Sequence, residues 1–214
     1  MTPRKSQPVC RQARWERKSK ETQIKAELTI DGQGKTKIKT NIGLLDHMLE
    51  LFAFHGFFDL TLEVKKADIN IDIHHTNEDV GIVLGLIFEE ALADKKGIRR
   101  FGSAFAPMES TLGHSVVDLS GRGYFHLNPE GIHPESLDKN SVDGYNFKHL
   151  EHFLESLAHQ LGASIIVTIN TAKSSADLHT IMETVFKSLG LALDQATQID
   201  PRRKGIPSTK GIID

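Results

Sequence analysis

Residues 74–86 read HHTNEDVGIVLGL, and residues 179–191 read HTIMETVFKSLGL. In each run a histidine stands four places before a glutamate, His74 before Glu78 and His179 before Glu183. Positions i and i+4 share one face of a helix, so an imidazole and a carboxylate at that spacing can converge on a single metal ion. A lone pair of this kind is usually a solvated surface pair. Its recurrence 105 residues later is what gives it weight. His75 projects about 100° away from His74 on a helix and is free to reach a different ion.

The repetition extends well beyond the two runs. Of the 47 positions from 45 to 91, 14 carry the same residue 105 places on, against about 3 expected at average composition. The matches include His47 with His152, Asp72 with Asp177 and Gly85 with Gly190. Two copies are too few for a solenoid. They predict an α+β chain of two similar half-domains packed face to face with their helices inward, which buries both apolar stripes. Each half then supplies one singleton histidine (His47 or His152) and one His–Glu pair, giving two pseudo-symmetric ion sites. His75 has no imidazole counterpart, because its repeat position is Thr180.

Periodicity places the elements. Residues 1–16 are basic and polar with Pro3 and Pro8, and read as a flexible arm. The alternation Ile24, Ala26, Leu28, Ile30, the Asp31–Gly32 turn and the return from Lys37 predict a hairpin. A helix is expected from 45 to Gly56, strands at DLTLEV and INIDI, and a long helix from 76 to about 95. The order ββαββα is expected again in the second half. There a hairpin covers 115–119 and 124–127, a Pro- and Gly-rich loop covers 128–140, and a helix, strand and helix follow at 149–160, 163–170 and 179–196. The half-domains are drawn at 17–97 and 98–200, with a tail at 201–214.

A net charge of −2 with 25% charged residues argues against a general nucleic-acid binder. Cys10 is the only cysteine, so no internal disulfide framework exists and a reducing, cytoplasmic location is expected. No apolar run approaches the roughly 18 residues of a membrane span. The 11 histidines are the compositional oddity that directs attention to metal or proton chemistry. His55, His114, His126, His133, His149 and His159 lack the support of the repeat and read as surface or core residues, with His55 placed to line a pocket.

Cationic and hydroxyl residues are spread over separate segments: Arg99 and Arg100 before Phe101, Arg122 in a turn, Ser208 and Lys210 in the tail, and Lys187 one helical turn past Glu183. Taken singly such residues are usually surface charges; donors converging from several sides are what a phosphate requires.

The segments LLDHMLELFAFHG, DIHHTNEDVGIVLG, RRFG, APMES, DLSGRGY, HFLESLA, HTIMETVFKSLG and IPSTKGIID, in this order, resemble the imidazoleglycerol-phosphate dehydratase family over roughly residues 17–214. The resemblance implies two α+β halves, each a four-stranded sheet with two helices, in a large homo-oligomer with active sites between subunits. It also implies two manganese ions per site and a phosphorylated imidazole substrate. By matching motif, the metal ligands are His47, His74, His75, Glu78, His152, His179 and Glu183. The phosphate-binding residues are Arg100, Arg122, Lys187, Ser208 and Lys210, and Glu21 is the acid/base carboxylate. The implied reaction converts imidazole-glycerol 3-phosphate to imidazole-acetol phosphate in histidine biosynthesis, through a metal-bound imidazolate whose electron pair expels the hydroxyl.

The chain departs from the family pattern at three places: Thr180 stands where the family has a second His, Ile166 where it usually has a His, and Glu109–Ser110 where it has an Asp–Glu pair. The alternative is therefore a homologue that keeps the shell and binds metal or a phosphorylated ligand without efficient turnover. A dinuclear hydrolase fits less well, since bridging aspartates are missing from a ligand set made almost wholly of imidazoles.

Overall fold

The computed structural model describes residues 11–132, 141–172 and 177–213. The first half comprises β1 (Gln12–Lys18), β2 (Gln23–Thr29), β3 (Thr36–Lys39), α1 (Gly43–His55), β4 (Asp59–Lys66) and α2 (Ile73–Leu92). The second comprises β5 (Phe101–Met108), β6 (Thr111–Asp118), β7 (Tyr124–Glu130), the short pair β8 (Ser141–Val142) and β9 (Tyr145–Asn146), α3 (Phe147–Leu161), β10 (Ser164–Thr171) and α4 (Leu178–Thr197). The two sheets have the orders β1-β2-β4-β3 and β5-β6-β10-β7. In both, the last pair is parallel and the others antiparallel. The duplication is thus a duplication of topology.

Period-2 burial builds the sheets. Along β2, Ile24, Ala26 and Leu28 are buried while Lys25 and Glu27 face water. The helices carry the complementary stripe, as in α3, where Leu150, Phe153, Leu154, Leu157, Ala158 and Leu161 recur at helical spacing. Each sheet covers the outside of its own helix pair, and the two pairs meet in the middle, α1 against α4 and α2 against α3. Met48, Phe52, Phe88, Phe153 and Phe186, spread over the four helices, are all fully buried. A buried polar clamp fixes the register of the junction: Asn77 on α2 donates to the His149 carbonyl and accepts from the Tyr145 hydroxyl, each at 2.8 Å. Burial raises the Tyr145 hydroxyl far above the usual tyrosine value, so it stays a donor.

Several expectations require correction. The order within each half is βββαβα, the short β8–β9 pair of the second half being an addition to it. The predicted hairpin of 24–30 with 37–40 does not form, because β4 lies between β2 and β3 and pairs parallel with β3. Asp59, at the head of β4, accepts from the amides of Gln33 and Lys35 and draws the connection across the strand end. For the same topological reason β10 separates β6 from β7. The actual hairpins are β1–β2 and β5–β6. The first uses five of the residues assigned to the arm, 12–16, in which Ala13 is buried and Trp15 half-buried while the charged residues form the outer face of an edge strand. Residues 1–10 of that arm, and His133, lie outside the described residues. INIDI is no strand: Asp72 is the N-cap of α2 and accepts from the His74 amide at 2.9 Å, which draws the segment into the helix entry.

Candidate active site

The repeated caps place the repeated histidines. Asp72 opens α2 and Asp177 opens α4, where it accepts from the Thr180 amide at 2.9 Å. His74, His75 and His179 therefore sit in first helical turns, with Glu78 and Glu183 one turn further along.

Two donor groups form, each across the halves. His47 of α1 joins His179 and Glu183 of α4, and His152 of α3 joins His74 and Glu78 of α2, with donor atoms in each group within 4.8 Å of one another. In the first group Glu183 Oε1 lies 3.0 Å from His179 Nε2 and 3.4 Å from His47 Nε2. Its other oxygen accepts from Lys187 Nζ at 2.5 Å. Burial pushes the Glu183 carboxyl up, but the hydrogen bonds from Lys187 and His47 outweigh it, and the net value lies below the usual range. In the second group the His74 and His152 rings stack at 4.2 Å, with an interplanar angle of 4°. Their Nε2 atoms stand 3.9 and 4.0 Å from Glu78 Oε2, too far to hydrogen-bond it. His152 Nδ1 is buried without a partner among the described residues.

Both groups fit a cation. Each offers two imidazoles and one carboxylate at a spacing close to what ligand bonds of about 2.1 Å require, and three protein donors leave positions open for substrate. In the second group an ion would take His74 Nε2, His152 Nε2 and Glu78 Oε2, none of which hydrogen-bonds another within the group.

A third group was not foreseen as a unit. His75 Nδ1 and Asp68 Oδ2 are 3.0 Å apart, and Glu21, in the β1–β2 turn, completes a cluster within 4.8 Å. The Asp68 hydrogen bond raises His75 above the usual histidine value, against the effect of desolvation. A carboxylate on one ring nitrogen leaves the other free to bind, the arrangement that orients metal-ligating histidines. Asp68 left no signal in the sequence, since it lies in an irregular turn seven residues before His75. Thr180, the repeat counterpart of His75, donates its hydroxyl to Asp177 at 2.8 Å.

The cationic residues divide. Arg100, Arg122, Ser208 and Lys210 line one cavity of about 170 Å³, together with Ser120 and Thr209, which the sequence reading passed over although both lie in quoted motifs. Arg100 is anchored there by two bonds to Asp118, at 2.6 and 3.1 Å, and by one to the Pro207 carbonyl at 3.0 Å, so it also ties down the tail. Lys187 is not in this cavity. It lies on the Glu183 side of α4, pairs with Glu183 and approaches Met108 Sδ at 4.0 Å. His55 is near enough that, after desolvation, the Lys187 charge is the main influence lowering its value.

The other histidines stand apart. His114 stacks on Phe105 at 3.9 Å and bonds Ser103 on the outer face of the second sheet. His149 forms the capping box of α3. Neither His114 nor His159 joins a donor group among the described residues. Ile166 lies on the outward side of β10, between the buried Ile165 and Val167.

The family profile for imidazoleglycerol-phosphate dehydratase matches residues 40–193. The chain is 46% identical over 203 residues to imidazoleglycerol-phosphate dehydratase of Geobacter metallireducens, covering 95% of this chain and 99% of the relative. It is 44% identical over 203 residues to that of Halalkalibacterium halodurans, covering 95% and 100%. Among solved structures, the enzyme from Staphylococcus aureus superposes with a TM-score of 0.75 at 30% identity, covering 88% of this chain and 99% of that one. The Pyrococcus furiosus structure gives 0.75 at 34% identity, covering 92% and 99%. With a repeated fold, matched donor groups and similarity along nearly its whole length, the chain belongs to the imidazoleglycerol-phosphate dehydratase family.

Proposed function

We propose that the chain dehydrates imidazole-glycerol 3-phosphate to imidazole-acetol phosphate, as a cytoplasmic enzyme of histidine biosynthesis, with manganese held by its two His–His–Glu groups. The observation that carries the reading is the pair of pseudo-symmetric three-donor groups built across the halves. Manganese held by His47, His179 and Glu183 and by His74, Glu78 and His152 would supply Lewis acidity toward the substrate's imidazole, easing loss of the ring proton and departure of the neighbouring hydroxyl. The remaining work falls to the chain. Glu21 accepts the proton from the next carbon, and the enol then tautomerises to the ketone. Arg122, Ser208 and Lys210 hold the phosphate so that the reacting carbons stay beside Glu21.

The same geometry supports a large homo-oligomer. Arg100 N donates to the Ala196 carbonyl, so the phosphate cavity lies at the C-terminal end of α4, whereas His179 lies in its first turn. Seventeen residues at 1.5 Å each separate them by about 25 Å. The second group is also remote: Gly121, beside Ser120 and Arg122, bonds Gly162 at the end of α3, about 15 Å from His152 by the same rise. A substrate with about five single bonds between ring and phosphorus spans less than about 10 Å. Separations of this size favour a working site whose ring-binding and phosphate-binding parts come from different copies. The outer face of the second sheet is suited to such contact, because Phe101, Phe105, Tyr124 and Ile166 are exposed there while the outer face of β1 and β2 is charged.

The test is turnover by purified protein titrated with manganese, read as formation of the ketone, alongside light scattering. Manganese-dependent ketone from an assembly of many subunits supports the reading. Stoichiometric metal binding without ketone favours the second reading, a homologue that binds without efficient turnover, for which Thr180 bonded to Asp177 is the specific observation.

A further inference from the structure

The β1–β2 turn that carries Glu21 is fastened to α2 by a buried carboxylate. Asp79, 6% exposed, accepts from the hydroxyl of Thr22, 0% exposed, at 2.5 Å through one oxygen and from Arg17 Nε at 2.8 Å through the other. Within the turn, Ser19 Oγ accepts from the amides of Glu21 and Thr22, and the Ser19 amide donates to the Thr22 carbonyl. One helical turn before Asp79, Thr76 Oγ1 accepts from the Asp68 amide at 3.0 Å. Thr76 and Asp79 thus hold, from one helix, the two segments that bring Glu21 and Asp68 to His75.

The repeat supplies an internal control. The counterpart of Asp79 is Thr184, whose hydroxyl turns back to the Ile181 carbonyl of its own helix. There Gly113 of β6 lets the backbone of α4 pack directly on the strand: a Cβ on Gly113 would lie 2.6 Å from the Thr184 carbonyl oxygen. Seating a helix on this sheet therefore needs no carboxylate. A buried carboxylate carries a desolvation penalty, and it occurs in the half whose hairpin tip carries Glu21.

We infer that Asp79 and Thr22 are positioning residues that fix the Glu21 carboxylate against His75 for proton transfer. The inference rests on the acid/base reading of Glu21. In the manganese-loaded holoenzyme, Thr22→Val should lower kcat about 10- to 100-fold with KM and manganese content unchanged, the upper end being what a misplacement of about 1 Å can cost. Hydrogen exchange should accelerate at the amides of Glu21 and Thr22 and stay unchanged along α2. Thr22→Ser, which keeps the hydroxyl, should restore kcat to within about twofold. Glu21→Gln is the companion variant. If Glu21→Gln abolishes turnover while Thr22→Val retains wild-type kcat, positioning is refuted and the acid/base reading stands. If Glu21→Gln itself keeps wild-type kcat, the reading beneath the inference fails and the inference falls with it. A kcat loss in Thr22→Val matched by lost manganese or faster exchange throughout α2 would also overturn it, since the bond would then serve only the fold.

Discussion

Gly190 of α4 packs against the Phe52 carbonyl of α1 so closely that a Cβ on Gly190 would lie 2.4 Å from that oxygen. Its repeat partner Gly85 stands in the same relation to Leu157 of α3, where the added atom would lie 2.7 Å from the carbonyl oxygen. These contacts set the separation of the helices that carry the two donor groups, since His47 precedes Phe52 on α1 and His152 precedes Leu157 on α3. The offending atoms are backbone and cannot rotate away.

Gly190→Ala should therefore destabilise the protein by about 1–3 kcal/mol through overpacking, even though alanine is the better helix former by about 1 kcal/mol. The same substitution at Gly85 should loosen manganese at the His74–Glu78–His152 group in particular. Gly43→Ala, at the start of α1 with nothing within 4 Å of the added atom, is the control and should be neutral or slightly stabilising. Denaturant midpoints and metal content check this, and unchanged values for Gly190→Ala would show that the helices can separate without loss.

Lys210→Ala should raise KM about 10- to 100-fold, the range for a lost hydrogen bond to a charged group, and leave manganese content unchanged. Arg100→Ala should do more, because its guanidinium also holds the Pro207 carbonyl: the tail should become sensitive to limited proteolysis near residues 201–210. Arg100→Lys should not rescue, since an ammonium cannot reproduce the two-point bond to Asp118. A proteolysis pattern like wild type in Arg100→Ala would remove its anchoring role.

Most of the donor set was legible because it depends on local periodicity. His74 with Glu78, and His179 with Glu183, need only a helix to converge, and the 105-residue repeat vouched for the helices. Pairing each singleton histidine with the His–Glu pair of the opposite half needed the helix packing, which no local pattern encodes. Strand partners failed for the same reason: Asp31–Gly32 looks like a hairpin turn, yet the partner of β3 is β4, more than 20 residues on, steered there by Asp59. Asp68 was silent because an irregular turn has no period to betray which way a side chain points. Lys187, read by resemblance as a phosphate-binding residue, shares the Glu183 side of its helix as its spacing indicates and does not line the cavity of Arg100, Arg122, Ser208 and Lys210.

Acid should weaken one tie between the halves. Arg11 holds Asp31 at 2.5 and 2.8 Å and donates to the Thr197 carbonyl at the end of α4. The hydrogen bond from Arg11 is the main influence keeping the Asp31 carboxyl below its ordinary 3.8. Because the folded value is depressed, the stabilisation is complete above 3.8 and disappears as pH falls below 3.8 and through the folded value. Asp31 is half exposed, so Asp31→Asn should lose no more than about 1 kcal/mol at neutral pH. In denaturant titrations the variant and wild type should converge once Asp31 is protonated in both folded and unfolded chains. A difference that persists undiminished below that point would mean the tie is not ionic.

Thr180 is where the chain breaks its own symmetry, and the consequence concerns the proposed ions. Asp68 orients His75 and leaves its second nitrogen available, whereas Asp177 engages the hydroxyl of Thr180, which is only 8% exposed. If residues at these two positions complete the ion groups of neighbouring copies, the group completed by His75 gains a fourth protein ligand. The group left to position 180 gains none, because a neutral hydroxyl is a poor ligand. By pseudo-symmetry the deficient group is His74–Glu78–His152, whose Nε2 atoms also stand beyond hydrogen-bond reach of Glu78. A lost ligand should weaken binding by at least the 10- to 100-fold seen for changes among supporting residues. Graded chelation of the manganese-loaded wild type should therefore remove one ion per chain well before the other. Thr180→His should make both resistant and raise turnover, and the α4 cap should survive the change, since Asp177 also accepts from the backbone amide at 180. Two ions of equal affinity in the wild type would refute the symmetry argument and require a donor from outside the repeat.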